Sequence, residues 1–131
     1  LEDQAGSDHA DAFLIDINLP GEDGLSLAKR IRNAHPLVGA AETCGFVGGL
    51  VLVKNKKTKE RFKDDDGVGM VCRGHCFGNG LIMRAVGDRM IIAPPLVMTH
   101  ADIDEMMRLI YLALDLTSKD LRTKGLLSGL L

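Results

Sequence analysis

Cys72-Arg73-Gly74-His75-Cys76-Phe77-Gly78-Asn79-Gly80-Leu81-Ile82-Met83-Arg84-Ala85-Val86-Gly87-Asp88 changes from helical to extended patterning within one stretch. Val68, Val71, Cys72, His75 and Cys76 recur at steps of three and four, which places them on one stripe of a helix over residues 67–80. Asn79-Gly80 supplies the left-handed residue on which such a helix ends. Beyond it, residues 81–86 and 89–93 flank Gly87-Asp88, a pair suited to a tight hairpin turn. Pro94-Pro95 stops the second strand. A helix feeding directly into a hairpin points to a mixed α/β domain.

Working outward, Thr99-His100-Ala101-Asp102 reads as a capping box. Ile103, Met107, Ile110 and Leu114, widened by Met106, Leu109 and Ala113, then predict a helix over residues 100–116. Residues 119–131 carry no decisive pattern. Upstream, residues 38–53 are rich in Val, Gly and Leu, which predicts two strands near 38–44 and 46–53. A bend or bulge is expected at Gly45, Gly48 and Gly49. Residues 54–66 are charged and read as an exposed loop. Ala12-Phe13-Leu14-Ile15 reads as a short buried strand, Leu19-Pro20-Gly21-Glu22-Asp23-Gly24 as its turn, and residues 25–33 as a helix stopped by Pro36.

The expected fold class is therefore α/β (α+β). A small, mostly antiparallel sheet from residues 38–53 and 80–93 forms one layer of a two-layer sandwich. Helices at 67–79 and 100–116 cover one face, and the strand–loop–helix unit of residues 1–34 packs at an edge or on the helical layer. Residues 1–34 and 35–131 are expected to form one compact unit.

Composition narrows the function. The chain has 131 residues, with 16 Lys and Arg against 18 Asp and Glu, so its net charge is -2. No strong basic field draws it to nucleic acid or an anionic membrane. No Trp and a single Tyr argue against a base-stacking platform. The apolar runs are too short to span a bilayer. Three cysteines, an odd number, fit a reducing cytoplasm better than a disulfide framework. Beginning at Leu1 rather than Met, the chain is expected to be processed, or to be an excised or engineered piece.

The string Asp11-Ala12-Phe13-Leu14-Ile15-Asp16-Ile17-Asn18-Leu19-Pro20-Gly21-Glu22-Asp23-Gly24-Leu25, continuing through Ala28-Lys29-Arg30-Ile31-Arg32, resembles part of a response-regulator receiver domain. It is similar to the third strand, loop and third helix of that doubly wound fold. The resemblance implies that Asp16 matches the phospho-acceptor. Phosphoryl transfer to a carboxylate needs Mg²⁺ held by further carboxylates. Asp8 and Asp11 stand in the wrong context for that, and the family's acidic pair, hydroxyl residue and Lys are not recognisable. Asp16 is therefore read as a strand-end carboxylate capping its turn.

A second resemblance starts at His35-Pro36-Leu37-Val38-Gly39. It continues through residues 49–60, the stretch of residues 72–88, Ile92-Ala93-Pro94-Pro95-Leu96-Val97 and the helix at 101–114. These strings resemble the C-terminal small domain of class III aminotransferases dependent on pyridoxal phosphate (PLP), of the omega-amino acid:pyruvate type. Ala41-Glu42-Thr43-Cys44-Gly45-Phe46 departs from the family's Arg-Gly turn, and nothing after Leu121 matches. The resemblance implies that Arg84 grips the substrate carboxylate, a task suited to a planar bidentate donor. The Schiff-base Lys, the acidic partner of the pyridinium nitrogen and the phosphate cradle belong to the family's large domain, upstream of everything matched. Lys54, Lys56, Lys57, Lys59 and Lys63 are read as a solvated charged loop.

The remaining residue patterns point less sharply. Cys72, His75 and Cys76 share a helical face, and with His100 or Cys44 they reach the four ligands of a zinc site, but the spacing is not that of a finger or ribbon. They read as small core cysteines and a satisfied His. Asp64-Asp65-Asp66-Gly67 lacks the spacing of a calcium loop and reads as a solvated helix start. Gly45, Gly48 and Gly49 do not make a dinucleotide fingerprint, and His9 stands alone.

Taken together, the two resemblances predict a hybrid, or an engineered or selected recombinant, joined near residues 33–36, with no catalytic residue, metal or cofactor of its own. PLP belongs to the parent family. The alternatives are a fragment of an omega-amino acid:pyruvate aminotransferase active only with its large domain, and a receiver module using Asp16. Self-association is expected, because both parent folds normally bury surface against parts not matched here.

Overall fold

A computed structural model describes residues 24–44, 47–94 and 97–128. The order is α1 (Gly24–Ala34), β1 (Val38–Cys44), β2 (Val47–Leu52), a 3-10 turn at Asp64–Asp66, α2 (Val68–Gly78), β3 (Arg84–Val86), β4 (Arg89–Ile92) and α3 (His100–Thr123). The strands form one sheet in the order β1-β2-β4-β3, with every pair antiparallel. The expected α/β class, with its small antiparallel sheet and helices, is what the fold shows. The receiver-like strand, its loop and Asp16 lie outside the described residues. Among the described residues no helix is long and apolar enough to cross a membrane.

Register assigns the two faces. Ala41, Leu50, Met90 and Ala85 stand in one cross-strand row, and Leu52 and Ile92 share their side by alternation. This face holds the core together with Ile31 of α1, Cys72 and Cys76 of α2, and Met107, Ile110 and Leu114 of α3. Glu42, Arg84, Val86, Arg89 and Ile91 project from the opposite face. The bulge occurs at Gly39, between Val38 and Ala40, rather than at the later glycines. A side chain at Gly39 would overlap that of Val53. Gly48 and Gly49 lie within a regular ladder instead, and Gly45 lies outside the described residues.

The stretch of residues 72–88 folds largely as its pattern predicts. Helix α2 ends in a Schellman turn: Leu81 N–H donates to the Cys76 carbonyl (2.9 Å) and Gly80 N–H to that of Phe77 (3.1 Å). Gly80, at φ 84°, is the left-handed residue, whereas Asn79 is at φ −109°. Because the Leu81 amide is spent on the helix end, β3 begins at Arg84, later than expected. Residue 87 opens the two-residue hairpin loop at φ 56°, as a glycine at the first central position can.

Helix α3 extends seven residues beyond the expected residue 116, to Thr123. Two facts hidden from periodicity explain the extension. The buried Thr117 hydroxyl donates to the Ala113 carbonyl (2.6 Å), so a residue of poor helix propensity is satisfied within the helix. Leu121, fully buried, anchors the final turn. A second Schellman turn closes at Gly125 (φ 70°), with Leu126 N–H donating to the Leu121 carbonyl at 2.8 Å. The N-terminus carries the anticipated capping box of Thr99 and Asp102.

Three polar contacts bind the helices to one another and to the loops. His35 Nε2 meets Asp115 Oδ1 of α3 at 3.1 Å, while its Nδ1 accepts the Leu37 amide. His75 Nε2 of α2 meets Asp120 Oδ2 of α3 at 2.7 Å. Lys56 Nζ donates to the Arg32 and His35 carbonyls at the C-terminal end of α1. Lys56 is therefore half-buried, not a solvated loop lysine, and its charge complements the negative end of the α1 dipole. Its neighbours match the expected loop more closely: Asn55 Oδ1 accepts from the Lys57 and Thr58 amides, and Asn55 bridges Glu60.

Gly69 of α2 abuts the hairpin so closely that a methyl there would overlap the Gly87 carbonyl oxygen, whereas Gly74, in the same helix, faces open space. Gly69→Ala is expected to cost roughly 1–3 kcal/mol in urea unfolding. Gly74→Ala is expected to add roughly 0.5–1 kcal/mol from helix propensity. Equal effects from the two substitutions would contradict the packing of α2 on the hairpin.

A second expectation concerns pH. Burial pushes the His35 imidazolium below its ordinary value of 6.5; the Asp115 contact opposes this, and the Lys56 and Arg122 charges add to it. The unfolded chain thus binds the extra proton first as pH falls. The stability owed to neutral His35 is full above 6.5 and declines below it toward the folded value. Urea midpoints at about pH 7.5 and about pH 5.5 should differ less in His35→Gln than in the unaltered chain. An unchanged pH slope in that variant would show that another group carries it.

Candidate functional site

Arg84 opens the short edge strand β3 opposite Ile91, on the sheet face away from the core. Its side chain is exposed, and among the described residues no acidic group pairs with it. On the same face, Arg89 Nε donates to Glu42 Oε2 at 3.1 Å. The pair reaches across β2 where Gly49 presents no side chain. Arg84 is thus, among the described residues, the cation of this face left available for a ligand carboxylate, and the neighbouring Arg89 is already neutralised.

An apolar concavity lies elsewhere. A groove of about 430 Å³ runs between residues 81–83, the end of β4 and the first half of α3. Met83, Ile92, Met106 and Ile110 form its apolar wall, and Asp102 and Glu105 contribute carboxylates. Asp102 is committed to the Thr99 cap, which lowers its pKa through hydrogen bonds to the residue 99 backbone and side chain. Glu105 is held by Arg108 at 2.7 Å. The groove accepts an apolar group and offers no nucleophile. Arg84 does not line it.

The other candidate residues are dispersed. Cys72 and Cys76 are buried, but His75 turns to Asp120, and among the described residues no three or more His, Cys, Asp or Glu side chains gather to hold a metal. His100 starts α3, and Cys44 ends β1. Asp66 accepts the Lys63 amide at 3.0 Å within the 3-10 turn, so the acidic run serves as a local cap. His9 and Asp16 lie outside the described residues. Sequence reasoning missed His35, Asp115 and Asp120: the pairs span 80 and 45 residues, and no local spacing announces a contact of that range.

These residues do not fit PLP. A Schiff-base lysine needs a free amine beside a cofactor pocket. Lys56, the half-buried lysine of the described set, is spent on two backbone carbonyls, Lys54 pairs with Glu60 at 3.4 Å, and no lysine lines the groove.

No family model matches the chain. It is 63% identical over 84 residues to the putrescine–pyruvate aminotransferase of Pseudomonas aeruginosa, a match covering 64% of this chain and 18% of that protein. Over 84 residues it is 31% identical to the mitochondrial gamma aminobutyrate transaminase 1 of Solanum lycopersicum, covering 64% and 16%. Among solved structures, the omega-transferase from Vibrio fluvialis JS17 superimposes with a TM-score of 0.68 at 30% identity, over 73% of this chain and 23% of that one. The omega-aminotransferase from Paracoccus denitrificans gives 0.65 at 34%, over 70% and 20%. A PLP-bound Vibrio fluvialis aminotransferase gives 0.67 at 30%, over 72% and 21%. The chain thus spans less than a quarter of the length of each of these relatives. In sequence and in fold it is similar to the C-terminal part of class III, PLP-dependent aminotransferases.

Proposed function

We propose that the chain supplies the small-domain portion of a transaminase that moves an amino group from a diamine to pyruvate, and that it has no turnover by itself. The carrying observation is the 63% identity to a putrescine–pyruvate aminotransferase. The solved omega-aminotransferases of the same fold support it. The lysine chemistry absent from the described residues is assigned to the remainder of the enzyme, together with PLP. Arg84 is assigned the keto acid carboxylate. Its exposure and lack of an acidic partner among the described residues leave it able to make charge-assisted bonds. Putrescine carries no carboxylate and pyruvate does, so the role of Arg84 belongs to one half of the reaction. Ile82 and Val97, 83% and 86% exposed, mark the apolar surface on which we place the expected self-association.

The test is complementation. The chain is combined, in trans and as a fusion, with the preceding portion of the Pseudomonas enzyme. Putrescine–pyruvate turnover is expected from the combination and from neither part alone. Arg84→Ala in the active combination should lower kcat/KM for pyruvate by roughly 10- to 100-fold and leave that for putrescine nearly unchanged. Turnover by the chain alone with added PLP, or equal losses for both substrates, would overturn the respective assignment.

The hybrid origin of residues 11–33 is also a proposal, carried by the receiver-like string alone. Asp16 is read within it as structural. Acetyl phosphate with Mg²⁺ is expected to leave the mass of the chain unchanged, and a phosphoryl increment lost in Asp16→Asn would restore the signalling reading.

A further inference from the structure

We infer that Cys72, Cys76 and Met83 form a buried all-sulfur site for a soft monovalent metal ion, of which Cu(I) is the physiological example. The two cysteines lie one turn apart on the inner face of α2 and are 2% and 1% exposed. Four residues apart on one helix face, they have neighbouring side chains, with Cβ atoms about 5–6 Å apart. Met83, 4% exposed, arrives from the segment after the Schellman turn, and its Sδ lies 3.8 Å from Cys76 Sγ. Three sulfur-bearing side chains, two from α2 and one from the segment after it, are therefore buried in the same part of the core.

The donor set selects the metal. Thiolate and thioether are soft ligands that favour Cu(I) over hard cations. Zinc would require four donors, and the fourth-ligand candidates are elsewhere: His75 is held by Asp120, and His100 begins a different helix. Three sulfur donors suit the low coordination number of a d¹⁰ monovalent ion. On binding, each thiol loses its proton to solvent and the metal keeps its oxidation state, so no electron acceptor is required. Two thiolates and one monovalent cation leave a net charge of −1. This inference is independent of the transaminase reading.

The experiment is an anaerobic titration of the chain with Cu(I) in competition with bicinchoninate. One ion per chain is expected. Cys76→Ala or Cys72→Ala should weaken binding by more than about 100-fold and Met83→Leu by about 10-fold, while Cys44→Ser should leave it unchanged. Circular dichroism of each variant separates a lost site from a lost fold. For a variant that does not fold, X-ray absorption of the loaded unaltered chain supplies the second test: a sulfur-only shell is expected, and a nitrogen shell would overturn the assignment. So would binding that disappears with Cys44, persists without Cys72 and Cys76, is indifferent to Met83→Leu, or fails to compete with the chelator.

Discussion

The structure rests on one requirement, the removal of a single sheet face from water. Leu50 and Met90 pair directly across the two central strands, and Leu52 and Ile92 extend that surface. Each such side chain contributes on the order of 1.5–3 kcal/mol when fully buried. A four-stranded sheet cannot cover itself. Three helices do so, and every one of them reaches the same cluster: Ile31 from α1, Cys72 and Cys76 from α2, and Ile110 and Leu114 from α3. Because strand side chains alternate, that requirement also determines the other face, where Glu42 and Arg89 pair with each other and Arg84 remains exposed.

Non-directional burial brings helices together but leaves their positions degenerate, and polar contacts remove that freedom. Helix α3 provides the reference. Asp115 holds His35, just beyond α1, and Asp120 holds His75 of α2. The Lys56 contacts then tie the end of α1 to the loop after β2. Helix α1 is thereby integrated into the same core as the remainder, through Ile31 and these contacts.

The chemistry is divided between surfaces. The apolar groove lies along α3, Arg84 lies on the far face of the sheet, and no lysine among the described residues lines the groove. A reaction centre needs nucleophile, acid–base group and substrate clamp within a few ångströms of one another. Among the described residues the groove and Arg84 lie apart, and the chain spans 18% of its putrescine–pyruvate aminotransferase relative. The sulfur cluster behind α2 is the other chemically distinctive feature, and it belongs to the core rather than to either surface.

Residue order alone determined the elements whose signals are local. The capping box at Thr99 and the stripe on α2 follow from spacings of three and four residues, and the Gly87-Asp88 hairpin and both long strands from local composition, so they were legible in the sequence. Tertiary structure alone decided the bulge at Gly39, the extension of α3 to Thr123, the anchoring of Lys56 and the His–Asp pairs. Each depends on a partner brought close by packing from elsewhere in the fold or on a buried surface that fills late, and neither leaves a periodic trace along the chain. The convergence of Met83 on Cys76 is of the same kind: the helix stripe placed the thiols, and only the turn at Gly80 swung the thioether onto them.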